Sequence, residues 1–234
     1  TALITQTFGF LSGFIGYYRR RLIDFRLAWR IARVSVPVAI LGAVTAGVVH
    51  DSVLLASYAL LVGVLAVVMW QNRPPAASHA AHESRRSCTI TDSRGKTYTY
   101  EEPKLGPRSY ALTGTGAFLT GMVSVGIGEV TISKLTRKGV PIAVAAATSV
   151  LVVIVTIVFA STTLVVQLVQ AGGWMAVPWN LLVYDIAGVL IGGQIGPRLQ
   201  GKVAPHTMRR AIGALFVVLA IAMMSVSLRK LGVL

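Results

Sequence analysis

Runs of roughly 20 apolar residues recur along this chain, each long enough to cross a hydrocarbon core about 30 Å thick as an α-helix. The stretches Ala2–Tyr18, Trp29–Val49, Ser52–Trp70, Trp179–Arg198 and Met208–Leu228 each read as one crossing. The runs are continuous rather than alternating, which argues against a membrane β-barrel. With 54% hydrophobic and only 13% charged residues over 234 positions, a soluble domain lacks the polar surface to cover its core. The sequence therefore specifies an all-α polytopic membrane protein.

The net charge of +14 follows from 22 Lys and Arg against 8 Asp and Glu. In a soluble chain this balance suggests nucleic acid. Here the basic residues sit at helix ends, as the positive-inside rule expects, and no nucleic-acid partner is implied. The lone cysteine, Cys88, excludes a disulfide framework. The chain starts at Thr1 inside an apolar run, without a signal-peptide pattern, and the expectation is that a membrane segment precedes it.

Residues 71–108 form a soluble loop between two membrane units, 1–70 and 109–234. Arg73-Pro74-Pro75 opens a linker that also carries His79, His82 and Glu83, read as solvated residues rather than a metal site. From Cys88 to Tyr100, β-branched and aromatic residues flank the Asp92–Gly95 turn and predict a small β-hairpin.

The most unusual membrane stretch is Gly114–Gln170. It is apolar but carries clustered glycines, Glu129, Pro141 and the Thr148-Ser149 pair. Val140–Gln170 alone would measure about 45 Å as one straight helix, longer than the bilayer core. A broken or re-entrant element is the expectation.

A shift of 150 residues superimposes the two ends of the sequence. Trp29 falls on Trp179, Gly42 on Gly192, Val53 on Val203 and Gly63 on Gly213, with Thr1 falling near Thr148. The chain thus holds two related repeats, the first lacking a counterpart of Gly114–Ala147. Arginines 19, 20, 21, 26, 30 and 33 cluster around the start of the second segment, whereas the equivalent Ala171–Pro178 has no positive charge. The turn after Val49 has none, and its equivalent has Arg198, Lys202, Arg209 and Arg210. This swap predicts an inverted-topology repeat, a plan common in secondary transporters.

A helix starting inside the membrane offers unpaired N–H groups and partial positive charge to an anion. A break at Thr148-Ser149 would let the two hydroxyls cap such an end. Gly126 and Gly128 would let backbone approach a ligand. These four residues are the substrate-binding candidates. Glu129 and Asp185, carboxylates within membrane segments, are the proton-coupling candidates, with Thr131 and Gln194 as weaker polar candidates. For Glu129 the alternative is pairing with Lys134 or Arg137, and for Asp185 snorkelling to the interface. There is no GxxxxGK[ST] loop, HExxH, CxxC or Ser-His-Asp spacing, so neither direct ATP drive nor an enzyme is indicated, and no cofactor or metal.

The run SVGIGEVTISKL–RKGVPIAVAAATSV, Ser124 to Val150, resembles the second-repeat signature of the TauE/SafE sulfite-exporter family. Gly192–Leu199 is similar to that family's second Gly-rich segment, and Leu41-Gly42-Ala43 to its first-half copy. The resemblance implies a multi-pass plasma-membrane permease for sulfite or another small organosulfur anion. It carries the signature onto Gly126, Gly128, Glu129, Pro141, Ala147, Thr148 and Ser149. Two other readings compete: a membrane enzyme using Glu129 and Asp185 as acid and base, and a non-transporting membrane partner whose central hairpin docks another protein.

Overall fold

The computed structural model describes residues 2–71, 87–176, 179–199 and 205–230. The elements run α1 (Ala2–Arg19), α2 (Phe25–Ala46), α3 (Asp51–Gln71), β1 (Ser87–Thr91), β2 (Thr97–Glu101), α4 (Pro107–Val123), α5 (Ile127–Arg137), α6 (Ile142–Gly172), α7 (Trp179–Leu199) and α8 (Pro205–Lys230). A short 3₁₀ turn, Trp174–Ala176, links α6 towards α7. Two helices, α2 and α6, are long and apolar enough to cross a membrane, and residues 182–192 and 213–229 form shorter apolar runs among the described residues. Large apolar side chains such as Val183, Tyr184, Ile191, Leu215 and Ile221 stand exposed, a surface suited to lipid rather than water.

Helix α6 is the central post. It packs on α1, α2 and α5, while α7 packs on α1, α8 on α3, and α4 on α2. Its neighbours fix its direction. The Asp24 N–H donates to Thr148 Oγ1 at 3.1 Å, and Thr7 Oγ1 lies 3.5 Å from Ser161 Oγ, so α1 and α6 are antiparallel. Ser35 Oγ meets Thr156 Oγ1 at 2.7 Å and Gly47 sits against Gln167, so α2 runs parallel to α6. These hydroxyl pairs join polar groups that would otherwise be stranded in an apolar interior.

Glycine decides how α2 and α4 meet. A Cβ on Gly42 would be driven into the Phe118 carbonyl, and one on Gly121 into the Ala39 carbonyl. The two backbones touch at this crossing, the small-residue contact that membrane helices use in place of a hydrophobic driving force. Pro37 lies inside α2 without ending it, as the sequence predicts.

The hairpin forms as expected. Cys88 pairs with Tyr100, Thr89 with Thr99 and Ile90 with Tyr98. At the turn, Asp92 Oδ1 accepts from the N–H groups of Arg94 and Lys96 at 2.7 and 2.9 Å, and Gly95 takes φ +79°. Its apolar face, with Cys88, Ile90, Tyr98 and Tyr100, packs on the helical core. The Ser93 N–H donates to the Arg20 carbonyl at 3.1 Å, and Glu102 pairs with Arg30. The hairpin thus sits on the basic segment between α1 and α2. His79, His82, Glu83 and the Arg73–Pro75 linker lie outside the described residues.

The break in Gly114–Gln170 is real but falls elsewhere than Thr148. Helix α6 is continuous from Ile142 to Gly172, 31 residues or about 46 Å. Thr148 and Ser149 lie inside its second turn and are buried, not at an end. The reason is local. Pro141 presets the start of the helix, and the alanine run behind it is strongly helix-forming. The interruptions come at residues 124–126 and 138–141, where Ser124, Gly126 and Gly139 take φ of 66°, 138° and 85°. Left-handed backbone of this kind cannot continue a helix.

Candidate functional site

The chain doubles back at residues 124–126. Helix α4 ends at Val123 with Ser124 in the left-handed region, and α5 begins after Gly126. Gly126 returns to lie against the carbonyl of Gly116, and a Cβ there would also press on Leu119. The Ile127 N–H donates to Thr120 Oγ1 at 2.8 Å, and that hydroxyl donates in turn to the Gly116 carbonyl. Further along, Lys134 Nζ donates to Thr113 Oγ1 at 2.5 Å, and Lys138 Nζ reaches the Lys104 carbonyl. Helix α5 therefore runs antiparallel to α4 and ends beside the place where α4 began.

The start of α5 is thus held inside the protein. Gly128 faces Val153 of α6, where a Cβ would come within 3.3 Å of Val153 Cγ2. Gln6 Nε2 of α1 donates to the Ser124 carbonyl at 2.9 Å. Three helices therefore meet at a short stretch of non-helical backbone. Its φ angle demands glycine at 126, and the stretch leads into the positive end of α5.

The candidate residues divide. Gly126, Gly128 and Glu129 come together in this first turn of α5. Thr148 and Ser149 lie apart from it on α6, each already bonded: Thr148 accepts from the Asp24 N–H, and Ser149 Oγ donates to the Ala146 carbonyl at 2.9 Å. Glu129 has no ion pair among the described residues, so the alternative of pairing with Lys134 or Arg137 is not made. It lines a cavity of about 520 Å³ between α4 and α5. Asp185 is exposed on α7, a helix packed on α1, so the structure does not gather the two carboxylates. Thr131 is fully buried with its hydroxyl unpartnered. Gln194 lies within α7.

Asp24 is a structural anchor that sequence reading missed. Its Oδ1 caps α2 by accepting from the Leu27 N–H at 2.9 Å, and its Oδ2 accepts from the Tyr100 hydroxyl at 2.7 Å. One carboxylate thus ties together α2, the hairpin and, through its backbone N–H, Thr148. Burial first, and then this hydrogen bond, push the Tyr100 hydroxyl well above the usual phenol range. The residue stands immediately before a helical run, so an N-cap role was readable; the partners 76 and 124 positions away were not.

The sequence profile of the sulfite exporter TauE/SafE family matches residues 1–223. The chain belongs to this family. No curated protein and no solved structure matches it. Membership makes it a membrane-embedded transport protein rather than an enzyme. The motif residues at 124–150 on which the resemblance rests are those that build the doubled-back α4–α5 unit and the start of α6.

Proposed function

We propose that this protein is a secondary transporter that moves a small anion, such as sulfite or an organosulfonate, across the plasma membrane as a multi-pass permease. The observation that carries the reading is the start of α5, a helix N-terminus held among α1, α4 and α6 after a stretch of non-helical backbone. Irregular backbone at membrane depth is tolerated where it lines a binding cavity, and a helix N-terminus favours an anion. In this reading α4 and α5 form a re-entrant hairpin. Gly126 and Gly128 contribute the anion contact, while Thr148 and Ser149 frame it from α6. Glu129 is the proton-coupling candidate beside the anion. Asp185 keeps that role only by acting separately, on α7.

The inverted repeat is part of the same proposal. The pairing among these six helices, α4 and α5 set aside, is unchanged when α1 is exchanged with α6, α2 with α7 and α3 with α8: α1–α7 becomes α6–α2, and α1–α6 and α3–α8 map onto themselves. The antiparallel packing of α1 and α6 supports opposite orientations for the two halves. A hairpin of zero net crossings followed by one long α6 also supplies the odd count that inversion needs. The partner-docking alternative has less support, since the apolar face of the β-hairpin is spent on the chain's own core.

The test is flux of radiolabelled sulfite and ethanesulfonate in vesicles carrying the full-length protein. Uptake above empty vesicles is expected, with Glu129→Gln abolishing its dependence on a pH gradient. Absence of flux for every small sulfur oxyanion would sink the proposal.

A further inference from the structure

The cavity between α4 and α5 has a chemical character that the transport reading does not use. Arg108, Lys134, Arg137 and Lys138 line it, against the single carboxylate of Glu129. Arg108 and Arg137 are exposed at its rim. A lysine serving only the positive-inside rule would reach into water, as its long stem allows. Lys134 does the opposite: the residue is 7% exposed. Its ammonium has no carboxylate partner among the described residues and donates to one neutral hydroxyl, that of Thr113. Thr113 passes the bond on to the Ser109 carbonyl at 2.9 Å.

A buried cation normally has a counter-ion, because a neutral hydrogen bond does not replace its lost hydration. Nothing in the described structure supplies one. A second observation points the same way. Ser109 lines the same cavity, is also 7% exposed, and its Oγ has no hydrogen-bond partner. An unpartnered buried hydroxyl and an unpaired buried ammonium in one cavity are two incomplete groups that a single oxyanion completes. Leu112 and Val130 give the cavity an apolar wall, suited to the carbon stem of an amphiphilic anion.

We propose that the α4–α5 cavity binds the oxyanion group of an anionic ligand, with Lys134 and Ser109 as its inner contacts and Arg108 and Arg137 as its rim. The group is a tetrahedral or pyramidal sulfur or phosphorus oxyanion. It belongs either to the transported solute or to the headgroup of an anionic phospholipid, whose recognition by basic pockets near a membrane interface follows the same electrostatics. Only the solute source rests on the transport reading.

The experiment uses the full chain in nanodiscs, with binding read independently of flux. In discs of phosphatidylcholine alone, equilibrium binding of radiolabelled sulfite and ethanesulfonate is measured. In mixed phosphatidylglycerol and phosphatidylcholine discs, retained phosphatidylglycerol is counted by native mass spectrometry. At least one probe is expected to bind, weakened about tenfold or more by Lys134→Gln and severalfold by Ser109→Ala, in line with loss of a charge-assisted contact. Circular dichroism checks that each variant is folded. If Lys134→Gln is not, Ser109→Ala and the rim variant Arg137→Gln decide. Loss of sulfite or ethanesulfonate binding in phosphatidylcholine discs identifies a solute site, and loss of retained phosphatidylglycerol alone identifies a headgroup site. Either supports the proposal. No binding of any probe, or binding unchanged in the folded variants, overturns it. Binding that persists in a protein without flux would remove the transport reading and leave this site standing.

Discussion

Gly121 and Gly42 show at single-residue scale how little room the helix packing leaves. Each faces a carbonyl of the opposite helix, and a backbone oxygen cannot rotate away as a side chain can. Gly121→Val is expected to destabilise the protein by about 3 kcal/mol, the upper end of overpacking costs, read as a lower unfolding midpoint in detergent. Gly114, with nothing within 4 Å of its Cβ position among the described residues, is the control and should tolerate alanine. Cys88 offers a second residue-scale test. Burial pushes its thiol up, the Asp24 and Glu102 carboxylates add to the shift, and Arg26 opposes it. A raised thiol pKa means less thiolate at neutral pH, so alkylation should be slower than for an unperturbed cysteine. The rate should climb as pH rises, and Asp24→Asn should bring the climb to lower pH. A rate profile equal to that of a free thiol would contradict the docked hairpin.

Elements in this protein are joined by a few specific polar contacts laid over apolar packing. The β-hairpin is the clearest case. Two strands alone are marginal in water, and this pair gains stability from packing Cys88, Ile90, Tyr98 and Tyr100 onto the helices. The Tyr100 hydroxyl on Asp24 is a bond to a carboxylate in a buried setting, worth roughly 1.5–3 kcal/mol. Tyr100→Phe is expected to loosen the hairpin by about that amount, seen as faster amide exchange at Ser93 while the helices keep their protection. The Arg30–Glu102 pair is about a third exposed and contributes less. Where a helix stops follows the same logic of local chemistry. The extent of the hairpin and of α1, α3 and α7 was legible in sequence, because apolar length and turn residues are local signals, whereas α2 begins earlier than its apolar run, at the Asp24 cap. The end of α4 was not legible, because glycines in the stretch are compatible with both close helix packing and a chain reversal. The alanine run before Thr148 is compatible with an unbroken helix, and Pro141 already supplied its start.

Across the molecule, the basic segment between α1 and α2, the hairpin and the end of α5 lie on one side. Arg20, the hairpin, Glu102 with Arg30, and the junction of Lys104 with Lys138 are linked by direct contacts. Helix α6 leaves that side at Ile142 and ends about 46 Å away. Single cysteines placed by Ser93→Cys and Gly173→Cys in a Cys88→Ala background are therefore expected to label from opposite sides with a membrane-impermeant maleimide. Labelling from the same side would break the single crossing assigned to α6 and the inverted arrangement with it. Gly192, which the 150-residue shift places on Gly42, meets nothing within 4 Å among the described residues, whereas Gly42 is filled by α4. The two positions thus differ in what covers them.

By itself the sequence determined the helical membrane class, the hairpin and the family, since each rests on hydropathy, spacing or motif, properties fixed by neighbours in the chain. It also marked 124–150 as the stretch that resembles the family signature. Only the tertiary structure decided that Thr148 is an interior contact for Asp24, that Glu129 lines the α4–α5 cavity while Asp185 is exposed on α7, and that Lys134 is buried beside an unpartnered Ser109. Those outcomes depend on which helix faces meet. That is a long-range property, and residues 21 and 124 positions apart in sequence had to be brought within bonding distance before it existed.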